Sequence, residues 1–71
     1  MRLIKLNSWY KNSSRDLKHK IIYVNANSVT SFYSDKSVDN TNTAIRVGSR
    51  EIYHVEEKPY DIIKLLNAAI Y

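Results

Sequence analysis

Two histidines are the side chains of this chain best suited to hold a metal ion or move a proton, and neither has a partner at the spacing that such sites need. His19 lies among lysines, which discourage the binding of a cation, and His54 lies next but one to Glu56. A histidine that lacks a second histidine one helical turn away, or a cysteine, does not make a metal site. We therefore expect no metal at either residue and a structural or surface role for His54.

The sequence also lacks the patterns of a catalytic site. No serine lies in a Gly-x-Ser-x-Gly elbow, and the single glycine, Gly48, cannot build a loop that cradles phosphate. Glu56 and Glu57 are adjacent carboxylates, which we interpret as residues that stabilise the start of a helix rather than as an acid–base pair. So short a chain can hardly bury a pocket of ~300 Å³ and still keep a core. The sequence predicts that the protein is not an enzyme and has no cofactor.

Binding is the chemistry for which the sequence offers candidates, because positive charge is concentrated near the N-terminus. Residues 1–20 contain six basic residues and one acidic residue, a net charge of +5, whereas residues 21–71 contain five basic and six acidic residues, a net charge of −1. A basic segment of this kind favours an acidic partner or nucleic acid. Aromatic residues are interleaved with the basic ones, and the candidate contacts are Trp9, Tyr10, Lys11, Arg15, Lys18 and Lys20.

Three interpretations of this basic–aromatic segment stay open. Stacking and phosphate contacts would suit single-stranded nucleic acid, although the sequence contains neither an aromatic RNA-recognition motif nor the pattern of a recognition helix. The same charges would suit an acidic protein. In the third interpretation Trp9 caps the small core and the lysines stay in water.

The length of the chain and its lack of cysteine limit the class of protein. Its 71 residues, of which 44% are hydrophobic and 25% charged, allow one small domain over residues 1–71 without disulfides. Charge interrupts the N-terminal segment too often for a signal peptide, and no stretch approaches the ~20 apolar residues that span a bilayer. We expect a cytoplasmic protein without membrane contact. Because a core of this size is marginal, self-association into a homo-oligomer would add stability.

Segments rich in β-branched and aromatic residues predict five strands, at about residues 2–8, 20–24, 29–34, 43–47 and 51–55. The polar segment Tyr10–Lys20 lacks periodicity, which predicts a loop or a long hairpin connection. Asp35–Asn42 has the composition of an exposed loop. Gly48-Ser49 predicts a type II′ hairpin turn between the last two strands, because glycine adopts the required positive φ at low cost.

A helix is predicted at about residues 59–70, where Pro59 supplies a favourable first position. Apolar residues recur at helical spacing, which indicates a wide stripe that lies across one face of the sheet, or alternatively a groove for a partner. The stripe consists of Tyr60, Ile62, Ile63, Leu65, Leu66, Ala69 and Ile70. The predicted fold is α+β: an antiparallel β-meander, or a small partly open barrel, of about five strands with one C-terminal α-helix packed on it.

Short motifs along most of the chain resemble the FlbD/SwrD-type small proteins of flagellar operons and similar short phage proteins. The motifs are Leu6-Asn7, Val24–Val29, Thr43–Gly48, and Val55-Glu56-Glu57 followed by Tyr60–Ile63. The family usually has proline where this chain has Ala26, and it caps its helix with serine or threonine where this chain has Lys58-Pro59. The resemblance implies a small accessory protein that acts through contacts, and it offers no catalytic residues.

The sequence thus predicts a non-catalytic accessory protein, encoded by a phage or mobile element, that binds a protein partner. The alternative is a nucleic-acid-binding module that uses the basic–aromatic segment. Binding that falls steeply with salt would favour the alternative.

Overall fold

A computed structural model of the chain describes residues 2–68. It confirms the predicted α+β class, with a five-stranded antiparallel sheet that is not closed and one C-terminal helix. The elements are β1 (Leu3–Lys11), β2 (Leu17–Asn25), a 3-10 turn (Ala26–Ser28), β3 (Val29–Ser34), β4 (Thr43–Val47), β5 (Glu51–Val55) and α1 (Pro59–Ala68).

The sheet joins a long hairpin to a three-stranded meander. Its strand order is β2-β1-β5-β4-β3. Strands β1 and β2 pair along their whole length, from Leu3↔Asn25 to Lys11↔Leu17. Strands β2 and β3 are opposite edges of the sheet, yet only the three residues of the 3-10 turn separate them in the chain. The sheet must therefore curl so that its two edges approach each other at that end.

The core lies on the inner face of this curled sheet. Alternate residues of β1 point inward, and Ile4 and Leu6 are buried against their cross-strand partners Val24 and Ile22. The period of two follows from strand geometry and matches the apolar residues at these positions. The remaining buried members of the core cluster are Ala26, Ile45, Val55 and Ile62.

Helix α1 covers the core with one narrow face. Ile62 is fully buried, and Leu65 and Leu66 pack against the core at its edge. Tyr60 and Ile63 are exposed, so the predicted stripe is too wide: with 3.6 residues per turn these two positions fall outside the face that contains Ile62. The last stripe positions, at residues 69 and 70, lie outside the described residues.

The start of α1 is stabilised by its own first turn. Pro59 is the first helical residue, and the Asp61 carboxylate accepts a hydrogen bond from the Lys58 backbone N–H at 3.3 Å. This contact is the carboxylate half of a capping box. Among residues 2–68, no helix is long and apolar enough to cross a membrane.

The prediction of a loop over Tyr10–Lys20 is wrong at both ends of that segment. Strand β1 continues to Lys11 and β2 begins at Leu17, so a connection of only five residues joins them. Asn12 organises this turn: its N–H donates to Asp16 O at 3.0 Å, and its Oδ1 accepts from the N–H groups of Ser14 and Asp16. The strands extend past the core cluster, and backbone pairing continues along them.

The other two connections also differ in detail from the expectation. Gly48 has the predicted positive φ, at +67°, but the turn contains three residues, 48–50, rather than two. Half of the loop from Asp35 to Asn42 is exposed, at residues 36, 37, 39 and 40, whereas Thr41 within it is buried. Asn42 N–H donates to Val55 O at 2.9 Å, which ties the loop to β5.

Candidate functional site

All six residues predicted to contact a partner lie on one part of the structure, the hairpin arm, which we define as residues 8–20. The arm is the part of the β1–β2 hairpin that extends outward from Ser8, where β1 pairs with β5. It contains four basic residues and one acidic residue, a net charge of +3. The structure therefore groups the predicted residues on one projecting element.

The structure does not gather the six residues on a single surface. Tyr10 lies opposite Lys18, and Ser8 lies opposite Lys20, so Tyr10, Lys18 and Lys20 share the inner face. Trp9 and Lys11 point to the outer face, and Arg15 lies in the turn at the tip, with a positive φ of 63°. Each face of the arm thus combines lysine with an aromatic ring.

The most unusual feature of the sheet is the divergence of β1 from β5 at the arm. The two strands are neighbours, but they pair only at Ser8↔Val55. On one side of that pair, Glu56 N–H donates to Asn7 O at 2.9 Å. On the other side, no further residue pair joins the strands, so residues 10 and 11 and residues 52 and 53 run on without strand pairing between them. We call the gap between these two segments the wedge.

The wedge opens into a cleft on each face of the sheet. The inner cleft, of about 360 Å³, is lined by Ser8, Tyr10, Lys20, Ile22, Ile52 and Tyr53. The outer cleft, of about 270 Å³, is lined by Ser8, Trp9, Tyr10, Lys11, Val38, Ile52, Tyr53 and His54. Tyr10 and Ile52 contribute to both clefts and are 45% and 43% exposed, so these clefts belong to the protein surface. Lys11 and Lys20 provide one ammonium group to each side, and neither lining contains a carboxylate.

Trp9 is held on the outer face by a polar network. Its Nε1 donates to Glu56 Oε2 at 2.6 Å, and its ring centroid lies 5.1 Å from that of His19. His19 Nε2 lies 3.1 Å from Asn7 Oδ1 and 3.8 Å from Glu56 Oε2. Trp9 is absent from the core cluster, so the interpretation in which it caps the core is wrong. The carboxylate beside it disfavours a phosphate on this face.

The interpretation of Glu56 and Glu57 as residues of the helix start is also wrong, because both side chains reach across to β1. The Glu57 carboxylate accepts hydrogen bonds from the Asn7 backbone N–H at 3.0 Å and from Asn7 Nδ2 at 2.8 Å. Asp61 instead serves the helix start. The Glu57 carboxylate thus takes the place of a strand partner for β1, on the side of Ser8 away from the wedge.

His54 borders the outer cleft, with its Nδ1 buried and without a hydrogen-bond partner in the described part of the chain. Within residues 2–68, no three or more side chains of histidine or acidic residues come together as a metal site would require. The nearby Asp35 carboxylate accepts hydrogen bonds from the Ser37 side chain and backbone N–H, and these bonds lower the pKa of Asp35, with a smaller contribution from His54.

Tyr53, which lines both clefts, has an altered pKa that provides a testable probe of the site. Its hydroxyl donates to the Glu51 carboxylate, which raises the pKa of Tyr53 above the ordinary value of 10.0. The tyrosine therefore favours folding below pH 10.0, and this contribution is lost as the pH rises through the higher pKa of the folded state. We expect Glu51→Gln to move the pKa of Tyr53 back towards 10.0. Titration of ¹³C-labelled tyrosine by NMR measures the shift, and an unchanged pKa would refute the assigned hydrogen bond.

The wedge could not be predicted from the sequence, because no residue type or spacing indicates where two paired strands diverge. Ile52 is a β-branched residue of a predicted strand like many others, and Tyr10 is a candidate contact only as an aromatic residue among basic ones. The arrangement offers apolar contact area, unpaired strand edges and positive charge, which together suit binding. No protein-family model matches the chain, and comparisons with curated proteins and with solved structures give no match either.

Proposed function

We propose that this chain is a non-catalytic accessory protein of a phage or mobile element, and that it acts in the cytoplasm by binding a protein partner in the wedge. The observation that carries the proposal is the single residue pair, Ser8↔Val55, by which β1 and β5 meet before they diverge. Unpaired strand edges are ready-made pairing sites for another chain. Tyr10 and Ile52 add exposed apolar surface beside those edges.

The ionisable groups of the wedge fit binding better than catalysis. Lys11, Lys20 and His54 are the charged or imidazole side chains that line the two clefts, together with the tyrosines. General acid–base catalysis usually pairs two groups whose environments set different proton affinities. The two lysines instead lie on opposite sides of the sheet, where they can attract an acidic surface.

The proposal is tested by capture of the partner with two matched variants. Ile52 and Ile63 are isoleucines of nearly equal exposure, 43% and 45%, but only Ile52 lines the wedge. We expect the wild-type chain and Ile63→Glu to capture the same partner from the native host, and Ile52→Glu to bind it at least ~10-fold more weakly, because the variant loses apolar burial and adds a charge. Titration of the purified partner measures the affinities. Equal binding by Ile52→Glu would refute the proposal.

Nucleic-acid binding is the second candidate function, and the inner face of the arm favours it. Tyr10, Lys18 and Lys20 project from that face, where a base could stack on the ring while the ammonium groups contact phosphates. The logarithm of the affinity for oligothymidylate should then fall with that of the salt concentration, with a slope of about −0.7 for each phosphate contact. Lys18→Gln should reduce that slope by about one contact. No binding at low ionic strength would exclude this candidate.

A further inference from the structure

We infer that the occupant of the wedge is an extended acidic segment of a partner protein, which adds as a strand along β1. This inference rests on the proposed function and names the chemistry of its partner. It is carried by three features of the described residues: the direction of the backbone groups, the two-sided form of the wedge, and the sign of the charges around it.

The backbone of β1 presents pairing groups to the wedge. Asn12 N–H donates to Asp16 O, so even-numbered residues of β1 direct their N–H and C=O groups toward β2. Odd-numbered residues direct theirs the other way, as Asn7 O shows by accepting from Glu56 N–H. The N–H and C=O groups of Lys11 therefore point into the wedge, where no β5 residue pairs with it. An extended peptide can supply both the donors and the acceptors that such an edge needs.

The two clefts suit the alternating side chains of a strand. A peptide of three or four residues in the wedge would span about 10–13 Å and would point successive side chains to opposite faces of the sheet. One face would meet the inner cleft of about 360 Å³, and the other would meet the outer cleft of about 270 Å³. Each cleft combines apolar or aromatic walls with one lysine, but Glu56 beside Trp9 opposes negative charge on the outer face. An acidic side chain therefore fits the inner cleft, and an apolar or aromatic side chain fits the outer cleft.

The charge distribution selects an acidic partner over a second copy of this chain. The hairpin arm has a net charge of +3, and no carboxylate lines either cleft. The five strands of this chain contain one acidic residue, Glu51. A strand from a second copy would therefore bring little negative charge and, from β2, would bring Lys18 and Lys20 against the arm. Like charges placed across a strand pair are destabilising.

Nucleic acid would be attracted by the positive charge of the hairpin arm, but it does not match the hydrogen-bonding groups of the strand edges. Its phosphates accept hydrogen bonds without donating any, so they leave the carbonyl groups of the strand edges unpaired. The ring best suited to stacking, Trp9, is engaged by His19 and Glu56 on the outer face. The observations therefore favour a peptide, and nucleic acid becomes an outcome of the test.

The test begins with selection from a library of displayed random dodecapeptides on the immobilised wild-type chain. We expect enriched sequences in which aspartate and glutamate are interspersed with apolar residues, and no enrichment on Ile52→Glu. The strongest peptide is then synthesised and titrated calorimetrically. The Lys11→Glu/Lys20→Glu variant should weaken its binding at least ~30-fold, whereas Lys64→Glu, which changes a helix residue outside the wedge, should change it less than ~2-fold. Circular dichroism verifies that each variant folds.

Backbone methylation separates strand addition from simple charge attraction. N-methyl groups on alternate amides remove the donors along one edge of the peptide while its side chains remain. One of the two alternating patterns should abolish binding, since at least one edge pairs with a strand.

The inference is overturned if both patterns bind like the parent peptide, if the enriched peptides are not acidic, or if oligothymidylate binds while no peptide is enriched. If the captured partner depends on Ile52 but methylation has no effect on the peptide, the proposed function survives and strand addition fails. If Ile52→Glu leaves capture unchanged, the proposed function fails as well.

Discussion

Replacement of Ile62 by alanine is expected to lower the free energy of unfolding by about 2–5 kcal/mol. Ile62 is fully buried in the core cluster, and it is the residue through which α1 enters the cluster most deeply. Truncation removes apolar contacts with the inner face of the sheet and leaves a cavity that the surrounding side chains fill only in part. A domain of this size has a total stability of about 4–10 kcal/mol, so the loss is a large share of it.

Ile63 provides the control on the same helix and with the same side chain. It is 45% exposed, so Ile63→Ala removes little buried surface, and alanine is the better helix former. We expect this variant to stay within about 0.5 kcal/mol of the wild type. Urea denaturation followed by circular dichroism measures both variants. Equal losses of unfolding free energy in the two variants would show that Ile62 is not packed against the sheet. The fold on which the assignment of binding to the wedge depends would then be wrong.

The bounds of three strands and the start of the helix were predictable because local residue types mark them. The predicted bounds of β3, β4 and β5 coincide with those of the structure. Glycine at position 48 marked the turn between β4 and β5, and Pro59 marked the start of α1. Each of these signals is local: it depends on one residue type, or on a short run of β-branched and aromatic residues.

The hairpin arm lacked such a signal because neither of its faces enters the core cluster. From Trp9 to Lys11 and from Leu17 to Lys20, cross-strand backbone pairing continues, and every side chain except that of Leu17 carries a polar or charged group. A pattern-based prediction treats such a segment as a loop. The candidate residues within it were identified by charge and aromatic content, which are properties of composition, but their division between two faces required the register Tyr10↔Lys18.

The wedge depends on long-range contacts, and sequence patterns do not report these. Glu57, just after β5, accepts a hydrogen bond from Asn7 of β1, and 50 positions separate the two residues in the chain. Proximity in sequence predicts the adjacent helix as the partner of Glu56 and Glu57, whereas their side chains contact β1. The contact that places β1 against β5 is therefore the least predictable part of the site, and its removal is the most informative test of how the wedge is built.

Glu57→Ala is expected to lower the free energy of unfolding by about 2–3 kcal/mol, since hydrogen bonds to a charged group contribute about 1.5–3 kcal/mol and their loss leaves donors unpaired. The carboxylate receives two groups of Asn7, the backbone N–H at 3.0 Å and Nδ2 at 2.8 Å. The bond from Thr43 Oγ1 to the Glu57 backbone C=O does not involve the side chain and should persist. Amide hydrogen exchange should therefore accelerate most at Asn7, because its N–H loses its acceptor.

Glu57→Gln and Glu51→Ala separate the charge from the geometry of this contact. Glutamine retains one acceptor oxygen but places an amide group opposite Asn7 Nδ2, so we expect a loss of about 1 kcal/mol, smaller than that of the alanine variant. Glu51 is exposed and contacts the Tyr53 hydroxyl, so its removal should cost less than about 0.5 kcal/mol. Urea denaturation ranks the three variants, and an order in which Glu51→Ala costs as much as Glu57→Ala would contradict the role given to Glu57. Because this carboxylate pairs with β1 next to the last strand pair, its loss should also widen the separation of β1 and β5 and weaken binding in the wedge, without any change in the residues that line it.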